Sequence, residues 1–486
     1  MRSRHRWVLI GSLVLLVIGV LPGGRPTRAQ QAPPTSWRDL RFPELPPFRP
    51  PQPQAFRLKN GLRVFVLEDH DLPLIRLVGY LDAGAVYEAK PGVAGLTGQL
   101  LRTGGTRLHT PDEVDSLLDQ KAIEVEISIG LTNGRVTLAA LREHFETGLA
   151  LLAELLTSPQ WDPERLEVAK RQRITVLLRE NDDPEAIARR EFQKVVFGPD
   201  TPYGRYPTTQ DIGAIRREDL QQFYEQYVRP DRLVLGVWGD FSTPTLRRWL
   251  EKYLGDWRPP RTSLARPTFR PTRPGIFLVK KADVTQTKIR MGYVVPPFDP
   301  KRAYDRDIYA LQVANVLFGQ GLSSRLFVRV RSQLGLAYYA FSNYAVQFDY
   351  PGTFTVATAT KAESTLQALR ALKDELERIR REGVTDEEVQ VAKEALINSF
   401  VFEYESPADV IFNYLRLAVT GLPMDYLARY VPNIQAVTRA DVERVIRTYW
   451  KPEQMTILVV GTPEKFDGSL TSLGPVQEIP LGTPGR

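Results

Sequence analysis

Arg331 and Tyr338 stand seven positions apart near the end of the segment Gly319–Tyr338, GQGLSSRLFVRVRSQLGLAY. A guanidinium offers several N–H donors in one plane, and a phenol adds a single directed O–H. Donors of these two kinds suit a peptide carbonyl, whose oxygen gains charge when its carbon is attacked. On residue type alone, Arg331 could equally form a surface ion pair. Tyr338 could be one more strand aromatic beside Tyr339, Phe341 and Tyr344. Gly319 and Gly321 invite comparison with a phosphate-binding loop, but no Lys followed by Ser or Thr comes after them.

Metal chemistry has few residues to work with. Beyond the N-terminal segment the chain contains His70, His109 and His144, and no two of them lie within 30 residues of each other. A zinc site on a helix needs two histidines about one turn apart, with a carboxylate to activate water. His70 sits in the polar turn Glu68-Asp-His-Asp71, and His144 follows Glu143 on an expected helix. All three are expected to be surface histidines.

The elements around Arg331 follow from local pattern. A glycine-flanked turn opens an amphipathic helix, Gly335 stops it, and a Tyr-rich strand follows. Strands are expected at 63–68, 74–81, 122–129, 135–140 and 232–236, and again at 275–281, 288–295 and 455–460. Leu149, Leu152, Ala153 and Leu156 fall on one helical face. Asp162-Pro163 starts a helix, and Thr385 with Glu388 has the spacing of a capping box.

The two halves repeat. PERLEVAK ending at Lys170 corresponds to DEEVQVAK ending at Lys393, an offset of 393 − 170 = 223. Tyr227 to Gly239 corresponds to Tyr449 to Gly461, at 449 − 227 = 222. So steady an offset argues for duplication of one domain. The fold class is α+β, with two duplicated domains of antiparallel-rich sheet, helices packed on one face, and a clamshell arrangement.

Composition adds bounds. The 486 residues are 43% hydrophobic and include no Cys, which excludes a disulfide framework. Arg2, Arg4, His5 and Arg6 precede the apolar run from Trp7 to Leu21, and Thr27-Arg28-Ala29 offers a cleavage site. This is the layout of a secretory signal peptide, cut after Ala29, and it predicts a periplasmic or secreted protein. The apolar run of 15 residues is short for a spanning helix, although a retained anchor is the alternative. Removing that segment takes away five Arg, so the net charge of +7 falls to 7 − 5 = +2. Mixed charge near neutrality disfavours a nucleic-acid partner.

The segment Gly319–Tyr338 closely resembles the stretch carrying the substrate-binding Arg and Tyr of pitrilysin/insulinase-type (inverzincin) zinc metallopeptidases. In those peptidases a first-domain helix carries HxxEH. The matching stretch here, Gly92 to Thr106, reads GVAGLTGQLLRTGGT. Gly95 and Gln99 stand at the two His positions and Gly98 at the Glu position. Counting back from Asp182-Asp183-Pro184 puts the third ligand position at Thr175 or Val176. The resemblance spans about Phe56 to Thr462. It implies a non-catalytic subunit similar to the alpha-like chain of processing peptidases, with Arg331 and Tyr338 as substrate-binding residues. It also implies no metal on this chain, zinc in an HxxEH-bearing partner, and extended unfolded peptides as ligands. The expected domains are a signal peptide (1–29), a Pro-rich tether (30–54), an N-terminal peptidase-like domain (55–256), a linker (257–274), a C-terminal peptidase-like domain (275–465) and a tail (466–486). The alternative is a metal-free peptide-binding or structural scaffold of the cell envelope without a peptidase partner.

Overall fold

Two six-stranded sheets, built by successive halves of the chain, carry the architecture in the computed structural model. The structure describes residues 51–258, 266–270 and 272–481. The signal segment, nearly all of the tether, and parts of the linker and tail lie outside the described residues. Among the described residues no helix is long and apolar enough to cross a membrane.

The first half runs β1 (Gln54–Arg57), β2 (Arg63–Glu68), β3 (Leu74–Leu81), α1 (Val93–Thr103), α2 (Pro111–Gln120), β4 (Glu124–Ile129), β5 (Gly134–Leu141) and α3 (Arg142–Thr157). It continues through α4 (Pro163–Arg179), α5 (Pro184–Phe197), α6 (Thr209–Ala214), α7 (Arg217–Tyr227), β6 (Leu233–Gly239) and α8 (Thr243–Leu254). The second half runs β7 (Ile276–Lys280), β8 (Gln286–Val295), α9 (Arg306–Gly319), a π-helical stretch (Phe327–Gln333), β9 (Ala337–Tyr344) and β10 (Gly352–Lys361). Then come α10 (Thr365–Glu382), α11 (Asp386–Phe400), α12 (Pro407–Thr420), α13 (Tyr426–Gln435), α14 (Arg439–Tyr449), β11 (Thr456–Gly461) and β12 (Val476–Glu478). The sheet orders are β1-β2-β6-β3-β5-β4 and β12-β7-β11-β8-β10-β9. Position by position the second repeats the first, with β9 in the place of β4 and α9 and α11 following the roles of α1 and α4. Most pairings are antiparallel; β2 with β6, β7 with β11 and β7 with β12 are parallel.

Local chemistry accounts for the helix starts. The Asp162 side chain accepts from the Arg165 N–H at 2.9 Å, with Pro163 in the first turn. Thr385 and Glu388 form the reciprocal capping box at 3.1 and 2.8 Å.

The packing goes beyond helices on one face of each sheet, because the two halves exchange a helix. Leu233, Leu235 and Val237 of β6 point into the first-half core, whereas Val234 joins the second-half core. On that second face α12 lies close to the strand, pairing Phe65 with Tyr414 and Trp238 with Phe412 at ring separations of 6.1 and 5.9 Å. The reciprocal contact sets Ile187, Ala188, Phe192 and Val196 of α5 against Val279, Val294, Leu458 and Val460 of the second sheet. Burial on both faces explains why β6 and β11 are almost continuously apolar instead of alternating. Arg63 adds a hydrogen bond to the Ala418 carbonyl at 3.0 Å, and Arg290 pairs with Glu185. The halves of this one chain are therefore interlocked.

Candidate functional site

The helix that leads to Arg331 opens into a π-helical stretch at Phe327–Gln333, not the regular amphipathic α-helix that spacing predicts. The Leu334 N–H reaches back five residues to the Arg329 carbonyl at 3.1 Å, the wide bond of a π turn. Gly335, at φ +62, then ends the element in a left-handed conformation that favours glycine. The Leu336 N–H closes the turn on the Val330 carbonyl at 2.9 Å.

Strand β9 begins at once and carries a bulge. Ala340 pairs with Thr358 but Ala337 with Thr360, so β9 spends an extra residue at Tyr338–Tyr339. Hydroxyls of β10 satisfy carbonyls freed there: Thr358 donates to Tyr339 and Thr360 to Leu336, each at 2.6 Å. Tyr338 is left 74% exposed.

Turn and bulge bring Arg331 and Tyr338 together. The guanidinium carbon of Arg331 sits 4.5 Å from the centre of the Tyr338 ring and 4.8 Å from that of Phe327. A cation between two rings gains about 0.5–1 kcal/mol per exposed contact. The Arg331 side chain makes no ion pair and no hydrogen bond among the described residues, and neither does the Tyr338 hydroxyl. The arginine is held against two rings, and its N–H donors are left without a protein acceptor among the described residues. That outcome differs from a surface ion pair. The neighbouring Arg325 is committed instead, donating to both Glu388 oxygens at 2.6 and 2.7 Å and to the Gly383 carbonyl at 2.9 Å, which ties the segment to the start of α11. Burial pushes the Glu388 carboxyl up, but Arg325 and Thr385 outweigh it and hold it below its ordinary value.

At the other candidate position, α1 and α4 lie side by side. Gly95 faces open space, with nothing within 4 Å of where a Cβ would be. Gly98 is the opposite case: a Cβ there would stand 2.6 Å from the Ile129 backbone nitrogen and 3.0 Å from the Ser128 carbonyl carbon. Helix α1 thus approaches β4 as closely as a side-chain-free position allows. Gln99 donates from Nε2 to the Gln172 Oε1 at 2.8 Å. Gln172 of α4 is thus hydrogen-bonded to this face of α1. Thr175 hydrogen-bonds its own helix at the Arg171 carbonyl, and Val176 is 49% exposed. Gln172 lies one turn before the counted positions, on the same face of α4. The N-terminus of α1 is held by buried Glu88, which accepts from the Gly92 and Ala94 N–H groups at 2.9 and 2.7 Å. Burial raises that carboxyl above its ordinary value despite the two amides.

Two glycines and two carboxamides do not fit zinc, which takes imidazole, thiolate or carboxylate ligands. The histidines do not substitute for them. His70 pairs with Asp240 at 2.6 Å, His109 with Glu154 at 2.9 Å and His144 with Glu143 at 3.6 Å, each with a different carboxylate. Among the described residues no three His, Asp or Glu side chains are grouped to hold a metal ion. No hydrogen bond or ring contact joins Gly95, Gly98 or Gln99 to Arg331 or Tyr338 among these residues.

The edge strands β4 and β9 are partly closed to a further strand. Arg102 of α1 donates from Nε to the Val125 carbonyl of β4 at 2.7 Å. In the second half Asn315 of α9 accepts from the Tyr344 N–H and the Ser342 hydroxyl, each at 3.0 Å.

Comparison with known proteins places this geometry. Residues 214–396 match the family model described as the peptidase M16 inactive domain. The chain is 26% identical over 408 residues to the non-peptidase homolog YmxG of Helicobacter pylori, covering 82% of this chain and 91% of that protein. It is 25% identical over 361 residues to an uncharacterized zinc protease YmxG of Bacillus subtilis, covering 73% of this chain and 85% of that one. A crystal structure of a peptidase M16 inactive domain from Pseudomonas fluorescens superposes with a TM-score of 0.74 at 22% identity, over 85% of this chain and 98% of that one. A protease structure from Helicobacter pylori gives 0.73 at 20% identity, over 85% of this chain and all (100%) of that one. Residues 214–396 thus resemble the peptidase M16 inactive domain, and the chain shares the fold of these M16-like structures.

Proposed function

We propose that this chain is the non-catalytic, substrate-binding subunit of an exported heterodimeric pitrilysin-type zinc peptidase. An HxxEH-bearing partner supplies the metal, its water and the general base. This chain closes the chamber and presents Arg331 and Tyr338 to the carbonyls of an extended peptide. One observation carries the proposal. Arg331 and Tyr338 are held together with their donors uncommitted, while the residues at the metal positions have no ligand chemistry. A partly exposed guanidinium that meets no carboxylate among the described residues keeps its donors open to an outside acceptor. The partly closed edges of β4 and β9 favour gripping by side chains over addition of a peptide strand.

The test is to isolate the chain from its native envelope and ask whether an HxxEH protein accompanies it. The pair should cleave peptides that neither chain cleaves alone. Arg331→Ala and Tyr338→Phe should lower turnover while leaving the assembly intact. Full turnover in both variants would remove these residues from the site. Peptide binding with no peptidase partner would favour the scaffold alternative.

A further inference from the structure

In the second half, the space beside α9 and α11 opens into a cavity of about 790 Å³, a size that suits a ligand or a short peptide stretch. Helices α12 and α13 and the turn from β9 to β10 complete its walls, and Tyr80 and Asn133 of the first half reach it. Because α9 and α11 duplicate α1 and α4, this is the counterpart of the place where Gln99 meets Gln172. In the first half a carboxamide pair bridges the helices; here the helices line open space.

Its lining has a consistent chemistry. Rings dominate the walls: Tyr344, Phe348, Phe400, Phe412, Tyr426 and Tyr430. Three side-chain amides, Gln320, Asn343 and Gln347, also line it and make no hydrogen bond among the described residues. Uncommitted amides can donate to and accept from a peptide backbone, and ring faces receive aromatic or branched side chains. Charge is balanced. Arg416 and Glu403 oppose each other in sign, and burial pushes the Asp349 carboxyl above its ordinary value. Neither Arg331, Phe327 nor Tyr338 belongs to this lining.

We propose that this cavity is a second peptide-binding site, separate from Arg331 and Tyr338, which takes an uncharged segment bearing an aromatic side chain. It acts on this chain alone and needs no peptidase partner. A substrate longer than the catalytic chamber could be anchored there while another part of it is presented to Arg331.

The experiment is fluorescence anisotropy of a labelled, end-blocked Gly-Ser-Phe-Gly-Leu-Ser peptide with the purified full chain. Saturable binding is expected, weakened at least ten-fold when Phe is replaced by Asp. Ser399 lines the cavity and is exposed on α11, so Ser399→Trp should fill the space and weaken binding at least ten-fold. If that variant does not fold by circular dichroism, Asn343→Leu decides, with a loss of three-fold or more expected. No saturable binding, or binding unchanged in the cavity variant, would overturn the proposal. Loss with Arg331→Ala but not with Ser399→Trp would also overturn it, placing the peptide at the other site. Equal affinity for N-acetylphenylalanine amide would replace the peptide with a small aromatic ligand and overturn it too.

Discussion

Arg331 shows how a side chain can be prepared for a ligand without any polar partner of its own. Its orientation comes from Phe327 and Tyr338, so ring and hydroxyl of Tyr338 have separable roles. Tyr338→Phe removes one donor and keeps the stack. Tyr338→Leu removes the stack too, and should weaken peptide turnover by the assembled pair a further two- to five-fold, equivalent to about 0.5–1 kcal/mol. Equal effects of the two substitutions would mean that the ring does not orient Arg331. The Arg325–Glu388 pair beneath the segment is a second residue-level device. Glu388 is held below the ordinary value of 4.5, so its contribution to stability is fully present above that value and is lost as pH falls through its lower folded value. Thermal melts of the native chain and Glu388→Gln should differ by about 1 kcal/mol near neutrality, after allowance for partial solvent screening. The difference should shrink toward about pH 3. A difference that grows on acidification contradicts this sign.

Among elements, α1 is the informative one, because two of its glycines sit in opposite surroundings. Gly95 is exposed in a helical backbone, so Gly95→Ala should stabilise by about 0.5–1 kcal/mol through a less flexible unfolded chain. Gly98→Ala gains the same propensity but drives a methyl into the β4 backbone, and a net loss of about 1–3 kcal/mol is expected. Urea unfolding of the two variants tests the pair, and like signs would contradict the packing described. The same geometry bears on rebuilding the metal site. Writing His, Glu and His at positions 95, 98 and 99 requires β4 to move away at Ser128–Ile129. Loss of the ligands at α1 is thus built into helix–strand packing as well as into side-chain identity.

At the scale of the whole molecule, the exchange of α5 and α12 makes the halves depend on each other. Each sheet completes its second face with a helix from the other half, so neither half should unfold alone. Calorimetry of the full chain should show one transition. Ile411→Ala, at the contact of α12 with β6, should shift that transition as a whole, by about 2–5 kcal/mol. Two separate transitions would contradict the interlock. Such coupling also gives a rigid wall, which suits a subunit that frames a chamber more than one that opens within itself.

Much of this was legible in the residues. The near-constant offset of the two halves announced the duplication, and caps such as Asp162-Pro163 and Thr385-x-x-Glu388 marked helix starts, because those signals are local in the chain. The absence of ligand chemistry at Gly95, Gly98 and Gln99 also follows from residue type alone, since no fold gives glycine an imidazole. Other features depend on atoms brought together from distant positions. The π-helical stretch and the β9 bulge set how Arg331 meets Tyr338, and no spacing rule encodes a bulge paired against Thr358 and Thr360. The Gln99 hydrogen bond to Gln172, one turn before Thr175 and Val176 on the same helix face, is likewise set by tertiary packing. The apolar runs of β6 and β11 marked strands, but only tertiary packing assigned their second faces to α12 and α5. Sequence by itself determined that this chain repeats a domain and carries no imidazole or carboxylate at positions 95, 98 and 99. The tertiary structure decided that its arginine stands uncommitted, because orientation and solvent access are properties of packed surfaces and not of residue order.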